Sequence, residues 1–181
     1  QESPFAFKFF CIRDVIKLGY KKILWLDTSV VIRKDLNEVF KIVDDLGYFF
    51  IHNHGLGEWC HDKALKTLGI TREESFKLPC LQATNFGLDF NRDFVNHFFD
   101  KMLELSIDKI TFPGPHNNDK FYASKDIRVK GHRHDQTAMS VIALRHGMSK
   151  WLFTKEYPWF IHDRDYVKSV PSSVEDVCMA E

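Results

Sequence analysis

Four short stretches of this sequence hold residue types that bind and polarise ligands. In the first, Asp27 closes the run Lys22-Ile23-Leu24-Trp25-Leu26, and Thr28 and Ser29 follow it with hydroxyls. Open α/β sheets place ligands at the carboxyl ends of their strands. A carboxylate left unpaired there is costly, so Asp27 must meet a cation, a donor or solvent. The second stretch is Gly131-His132-Arg133-His134-Asp135-Gln136. Asp135 suits a helix N-cap. A cap does not explain why two His, an Arg and a Gln crowd the same turn. A helix N-terminus with cationic neighbours also suits an anionic ligand. The spacing of His132 and His134, with Asp135 beside them, is compatible with zinc, which opens a rival reading as a metal-dependent hydrolase. In the third stretch, Asn85-Phe86-Gly87, the glycine marks a bulge or a close backbone approach, and the Asn amide suits a hydroxyl-bearing ligand. The fourth is His162, which ends the apolar run Trp159-Phe160-Ile161. Lys8 and Arg13, taken by themselves, are solvated charges on a first helix.

The elements that must position these residues alternate. Helical spacing over residues 4–18 precedes a buried, parallel-type strand ending at Asp27, then a short strand at Val30-Val31-Ile32. Asp35 caps a helix that Gly47 ends. Tyr48 to Ile51 is β-rich, residues 58–69 read as helix, and Thr71 with Glu74 forms a capping-box pattern. Leu81 to Phe90 is strand-like, and Asn91 is placed to cap a long amphipathic helix. Residues 109–131 form a polar loop of a length usually kept for function or disorder. Asp135 opens a helix that ends near Gly147, and Trp159 to His162 is a last strand. This order argues an α/β fold with a mainly parallel sheet.

Composition bounds the partners. With 25 Lys+Arg against 25 Asp+Glu, the formal net charge is zero. The usual electrostatic case for non-specific nucleic-acid or anionic-membrane binding is therefore missing. The 181 residues include 17 Phe, enough for one domain over residues 1–181 with a core that needs no staples. Cys11, Cys60, Cys80 and Cys178 form no CxxC pair, and the expectation is reduced thiols. No apolar run approaches the roughly 18 residues of a membrane span, and Gln1-Glu2-Ser3-Pro4 carries no signal-peptide pattern. A cytoplasmic location is the expectation.

Taken in order, these pieces resemble a glycosyltransferase of the GT-A fold, and most of all the retaining family 8 enzymes of the glycogenin and galactosyltransferase group. Phe5-Ala6-Phe7-Lys8 is similar to an aromatic-Ala-basic element ahead of the family's first conserved strand. Ile23-Leu24-Trp25-Leu26-Asp27 resembles its LYLDxD strand, and Lys34-Asp35-Leu36 the helix start that follows. Ala83-Thr84-Asn85-Phe86-Gly87 is similar to its FNaG strand, His134-Asp135-Gln136 to its DQD helix start, and Ile161-His162 to a late element whose His binds metal. The match runs from about Phe5 to His162. Ser29 stands where the family has a second metal-binding Asp, so the motif is degenerate, and Thr137 stands for the last Asp of DQD. The family's nucleotide-binding β-α-β unit, which precedes the helix that begins here, is absent or lies upstream of Gln1.

The resemblance implies a three-layer GT-A-like sandwich that moves a sugar from a nucleotide-sugar donor to a carbohydrate hydroxyl. By the same resemblance, Asp27 and His162 bind Mn²⁺ or Mg²⁺, an ion that offsets charge on the departing diphosphate and is held weakly or with the nucleotide's help. Lys8, Asp27, Ser29 and Asn85 contact the donor. Asp135 and Gln136 sit at the reacting centre. Acceptor recognition falls to the 109–131 loop, Trp59, His132 and His134. Three other readings stand beside this one: a GT-A-like module that binds nucleotide or sugar without turnover, the His/Asp metal-dependent hydrolase, and a purely structural domain.

Overall fold

The structure is a computed structural model that describes residues 3–153 and 158–162. The polar tail and Cys178 lie outside the described residues, and so does the imidazole of His162, whose main chain alone is described.

Helix α1 (Phe7–Lys17) leads into β1 (Lys22–Leu26) and the short β2 (Val30–Ile32). Helix α2 (Asn37–Leu46) stops at Gly47, whose φ of 85° is the left-handed cap a glycine adopts without steric cost. Strands β3 (Tyr48–Phe49) and β4 (Ile51–Gly55) follow, then a 3₁₀ turn (Gly57–Trp59), α3 (Asp62–Thr67) and α4 (Arg72–Phe76). The capping box of Thr71 and Glu74 is formed in full. Strands β5 (Pro79–Leu81) and β6 (Asn85–Asp89) precede the long α5 (Asp93–Ile107). Helix α6 (His134–Arg145) and strands β7 (Leu152–Phe153) and β8 (Phe160–His162) follow.

Among the described residues the strands make three small sheets, ordered β1-β6-β3, β2-β8 and β5-β4-β7. Among the described residues every pairing is antiparallel except β4 with β7. The expected large parallel sheet is therefore replaced by a mixed α/β arrangement. The physical reason lies in β1. Its unbroken apolar run satisfies two cores rather than a parallel neighbour. Ile23 and Trp25 pack on the main cluster around Phe9, Phe86 and Phe98, while Leu24 and Leu26 pack on a second cluster around Val39, Val43 and Phe49. A strand covered on both faces reads as continuously apolar whichever way its partner runs.

Several local expectations are refined. Residues 58–69 are not one helix, because extended Cys60 separates the 3₁₀ turn from α3. The run 81–90 is split between β5 and β6 by residues 82–84. Asn91 does not cap α5; its N–H and amide donate to Asp89 Oδ1, and the helix starts at Asp93. Gly87 marks a close approach and not a bulge: a Cβ there would lie 2.7 Å from Val43 Cγ2 of α2. The 109–131 segment is anchored, with Thr111, Phe112, Ala123, Ser124 and Val129 buried. Among the described residues no helix is long and apolar enough to cross a membrane.

Candidate functional site

Three charged side chains from distant parts of the chain meet at one point. Lys8 stands in the first turn of α1, Asp27 just past β1, and Asp135 in the first turn of α6. The Lys8 ammonium lies 3.1 Å from Asp27 Oδ1 and 3.1 Å from Asp135 Oδ2. It also donates to the Ala83 carbonyl at 2.7 Å. The Lys8 and Asp135 side chains are 3% and 5% exposed, whereas Asp27 keeps 24% of its side chain open. The cluster is thus a buried ion pair with one carboxylate facing solvent.

Local structure explains each placement. Buried Phe9 and Ile12 anchor α1 in the main core, and Phe9 meets Phe99 and Phe112 at ring separations of 6.2 and 5.7 Å. That anchoring carries Lys8 inward too. Trp25, two residues before Asp27, donates Nε1–H to Asp27 Oδ1 at 2.7 Å, and the Asp27 N–H donates to the Thr84 carbonyl at 2.7 Å. Asn85 opens β6 opposite Leu26, so it neighbours Asp27 through the ladder. Its Oδ1 accepts from the Thr84 hydroxyl at 3.0 Å, and its Nδ2 is buried without a partner among the described residues.

Asp135 is not an N-cap; it lies inside α6, and its Oδ1 accepts from the Gln136 N–H at 3.0 Å. Its Oδ2 is buried and lacks a well-directed hydrogen bond despite the nearby ammonium. Burial pushes its carboxyl up to about 6, against the pull of Lys8. The preceding residue, His134, holds a left-handed φ of 44°, as does Phe5 at 62°. The two rings lie 5.2 Å apart, and Phe5 also sits 5.3 Å from the Lys8 ammonium. Left-handed backbone at non-glycine residues costs free energy that surrounding packing must over-determine.

The other expected site residues fall elsewhere or are only partly described. Ser29 is half-buried in the β1–β2 turn. The main chain of His162 pairs with Val30, which keeps that strand beside the Asp27 turn. The Gln136 amide oxygen lies 3.9 Å from Cys80 Sγ. His132 is fully buried and committed: Nε2–H donates to the Thr111 carbonyl at 3.0 Å, and Nδ1 accepts from the His61 N–H at 3.2 Å. Burial first, and then His134, hold its imidazole down at about 3, so it stays neutral. His134 donates Nδ1–H to the Phe112 carbonyl at 2.9 Å. Among the described residues no three His, Cys, Asp or Glu side chains are grouped to hold a metal ion. The zinc reading of His132, His134 and Asp135 therefore has no geometric support. Trp59 carries the Arg133 guanidinium 3.5 Å from its ring centroid, so one of its faces is covered. Cys11 is exposed, Cys60 and Cys80 are buried, and all three are free thiols.

Sequence reasoning missed the Trp25 donor to Asp27 and the carbonyls of residues 83 and 84. The signal for Trp25 was available, because residues i and i+2 share a strand face. The carbonyls carried no side-chain signal. No protein-family model, curated protein or solved structure matches this chain.

Proposed function

We propose that this chain is a glycosyl-transferring domain of GT-A type, acting on a nucleotide-sugar donor and a carbohydrate hydroxyl acceptor. The observation that carries the reading is the convergence of Lys8, Asp27 and Asp135, with the unpartnered Asn85 amide beside them. In the reaction the anomeric C–O bond to the diphosphate breaks, and the diphosphate leaves with the electron pair. The acceptor oxygen forms the new bond to that carbon and gives up its proton. Lys8, buried between the two carboxylates, offsets their charge and holds Asp27 and Asp135 in place beside Asn85. The Asn85 amide and the Asp135 carboxylate pair with donor hydroxyls. With its carboxyl near 6, Asp135 is also matched to hold a proton at the reacting centre.

A divalent ion, when bound, would neutralise diphosphate charge as a Lewis acid. Asp27 is the described carboxylate that would hold it, with the Ser29 hydroxyl nearby. Asp27 already carries the Lys8 ammonium and the Trp25 donor. The residues therefore suit an ion that arrives with the diphosphate better than an all-protein cage. That same occupancy favours a second reading, a domain that binds nucleotide or sugar without turnover.

One assay separates the two. The 181-residue chain is incubated with uridine and guanosine diphosphate sugars with Mn²⁺, and nucleoside diphosphate release is followed. Release is expected for at least one donor, and Asp135→Asn should lower it at least a hundredfold with donor binding retained. Binding without release by the parent chain would move the assignment to the non-catalytic module.

A further inference from the structure

Two cationic side chains and an imidazole gather around one indole beside the turn that bears Asp135. Arg133 lies 3.5 Å over the Trp59 ring, Lys130 Nζ is 6.0 Å from its centroid, and the His54 ring is 5.8 Å away. His116 adds an imidazole whose Nδ1 is 3.3 Å from Arg133 Nη1. One carboxylate belongs to this group: Glu58, which pairs with Lys130 at 2.9 Å. Arg133 has no carboxylate partner among the described residues. Its Nη1 donates to the carbonyls of His116 and His132 at 2.8 and 3.3 Å. Among the described residues its Nε and Nη2 donate to nothing, which leaves one fork of the guanidinium open.

This platform is fastened to the reacting centre. The Arg133 N–H donates to the Trp59 carbonyl at 3.0 Å, and the Thr137 hydroxyl donates to the same carbonyl at 3.3 Å. The Gln136 N–H donates to the Arg133 carbonyl at 2.8 Å, so hydrogen bonds tie the turn that bears Asp135 to the Trp59 turn. A guanidinium fork laid on an aromatic ring pairs with a planar or tetrahedral anion while the ring edge takes an apolar face.

We infer that the Trp59–Arg133 platform selects an acceptor sugar that carries a negative charge, a carboxylate or a phosphate ester, and seats that anion on the open guanidinium fork. The inference rests on the sugar-transfer reading for the word acceptor, but the binding step does not need a donor. The field around Arg133 is consistent with it. Burial and then Arg133 hold His116 below its ordinary range, and Arg133 contributes in the same direction at His54 and His134. A bound anion would offset that field.

The test is donor-free titration of the chain with glucose, glucuronate, glucose 6-phosphate and inorganic phosphate, followed by the His54 and His116 imidazole resonances. At least one charged sugar should bind about tenfold or more tightly than glucose, the scale of one charge-assisted hydrogen bond, and should raise both imidazole pKa values. Arg133→Gln should erase the preference, and Arg133→Lys should restore part of it. If Arg133→Gln fails to fold, the parent chain still decides, because the preference must shrink severalfold between 0.05 and 0.5 M NaCl. Equal binding of glucose and the charged sugars overturns the inference, as does inorganic phosphate binding as tightly as either charged sugar. Charged-sugar binding without any transfer would instead reject the transferase reading and leave this site standing.

Discussion

At the scale of single residues, Lys8 holds two carboxylates that would otherwise repel in a buried place. Removing one partner of a buried pair leaves an uncompensated charge, which typically costs about 3–5 kcal/mol. Lys8→Met strands two carboxylates, whereas Asp135→Asn leaves a matched Lys8–Asp27 pair. Lys8→Met is therefore expected to lower the denaturant midpoint far more than Asp135→Asn does. Chemical unfolding curves with unchanged slopes would show it. Equal losses would mean that the ammonium is not the keystone of the cluster.

The same two regions make opposing contributions to acid stability. Asp135 is raised to about 6, so its favourable contribution is complete below its ordinary carboxylate value and is lost as pH rises through 6. His132 is depressed to about 3 from 6.5, so its contribution is complete above 6.5 and is lost as pH falls toward 3. Acidification from about 6.5 to 4 thus gains at Asp135 what it loses at His132. Asp135→Asn removes the gain and leaves the loss. Its melting temperature should fall more steeply over that window than the parent's, and parallel curves would contradict the buried carboxyl.

At the scale of elements, the 109–131 segment owes its course to a contact that only glycine permits. A Cβ on Gly131 would stand 1.9 Å from the His116 carbonyl oxygen. Close by, His132 N–H donates to the Pro115 carbonyl at 2.9 Å. Gly131→Ala must pry these two stretches apart and loosen Arg133 from His116. A loss of about 1–3 kcal/mol is expected, as for other overpacked sites, and calorimetry would measure it. Some element boundaries were legible from local chemistry, as at Gly47 and the Thr71–Glu74 box, but Asp35, Asn91 and Asp135, each read as a helix cap, are not caps: α2, α5 and α6 are entered through Leu36, Arg92 and Arg133. Strand direction was not legible. The alternation of apolar residues reports which faces of β1 are covered, and both are, but it carries no record of whether β6 runs with or against it.

At the scale of the whole molecule, the two apolar clusters lie on opposite faces of the sheet β1-β6-β3. Phe98, beside Phe50 at a ring separation of 5.7 Å, belongs to the larger cluster, and Phe49, beside Phe160 at 6.1 Å, to the smaller. Both phenylalanines are essentially unexposed. Because the clusters share β1, they should melt together. Phe98→Ala and Phe49→Ala should each cost about 3–5 kcal/mol and shift one common transition, seen alike by near- and far-ultraviolet circular dichroism. A separate early transition in either variant would mean that the clusters fold independently.

The amino-acid order by itself determined where α2 stops and where α4 starts, that β1 is covered on both faces, and that Asp27, Asn85 and the turn at residues 131–136 hold unusual polar chemistry. Those properties come from neighbours within a helical turn or along a strand. Tertiary structure alone decided that Lys8, a helix charge like any other in sequence, is buried between Asp27 and Asp135 and bonded to a carbonyl 75 residues away. It also decided that His132 is a neutral structural hydrogen-bonder and that Arg133 lies on Trp59. Such pairings depend on which surfaces the core brings together, and the cost of burying a charge alone then selects the partner that neutralises it.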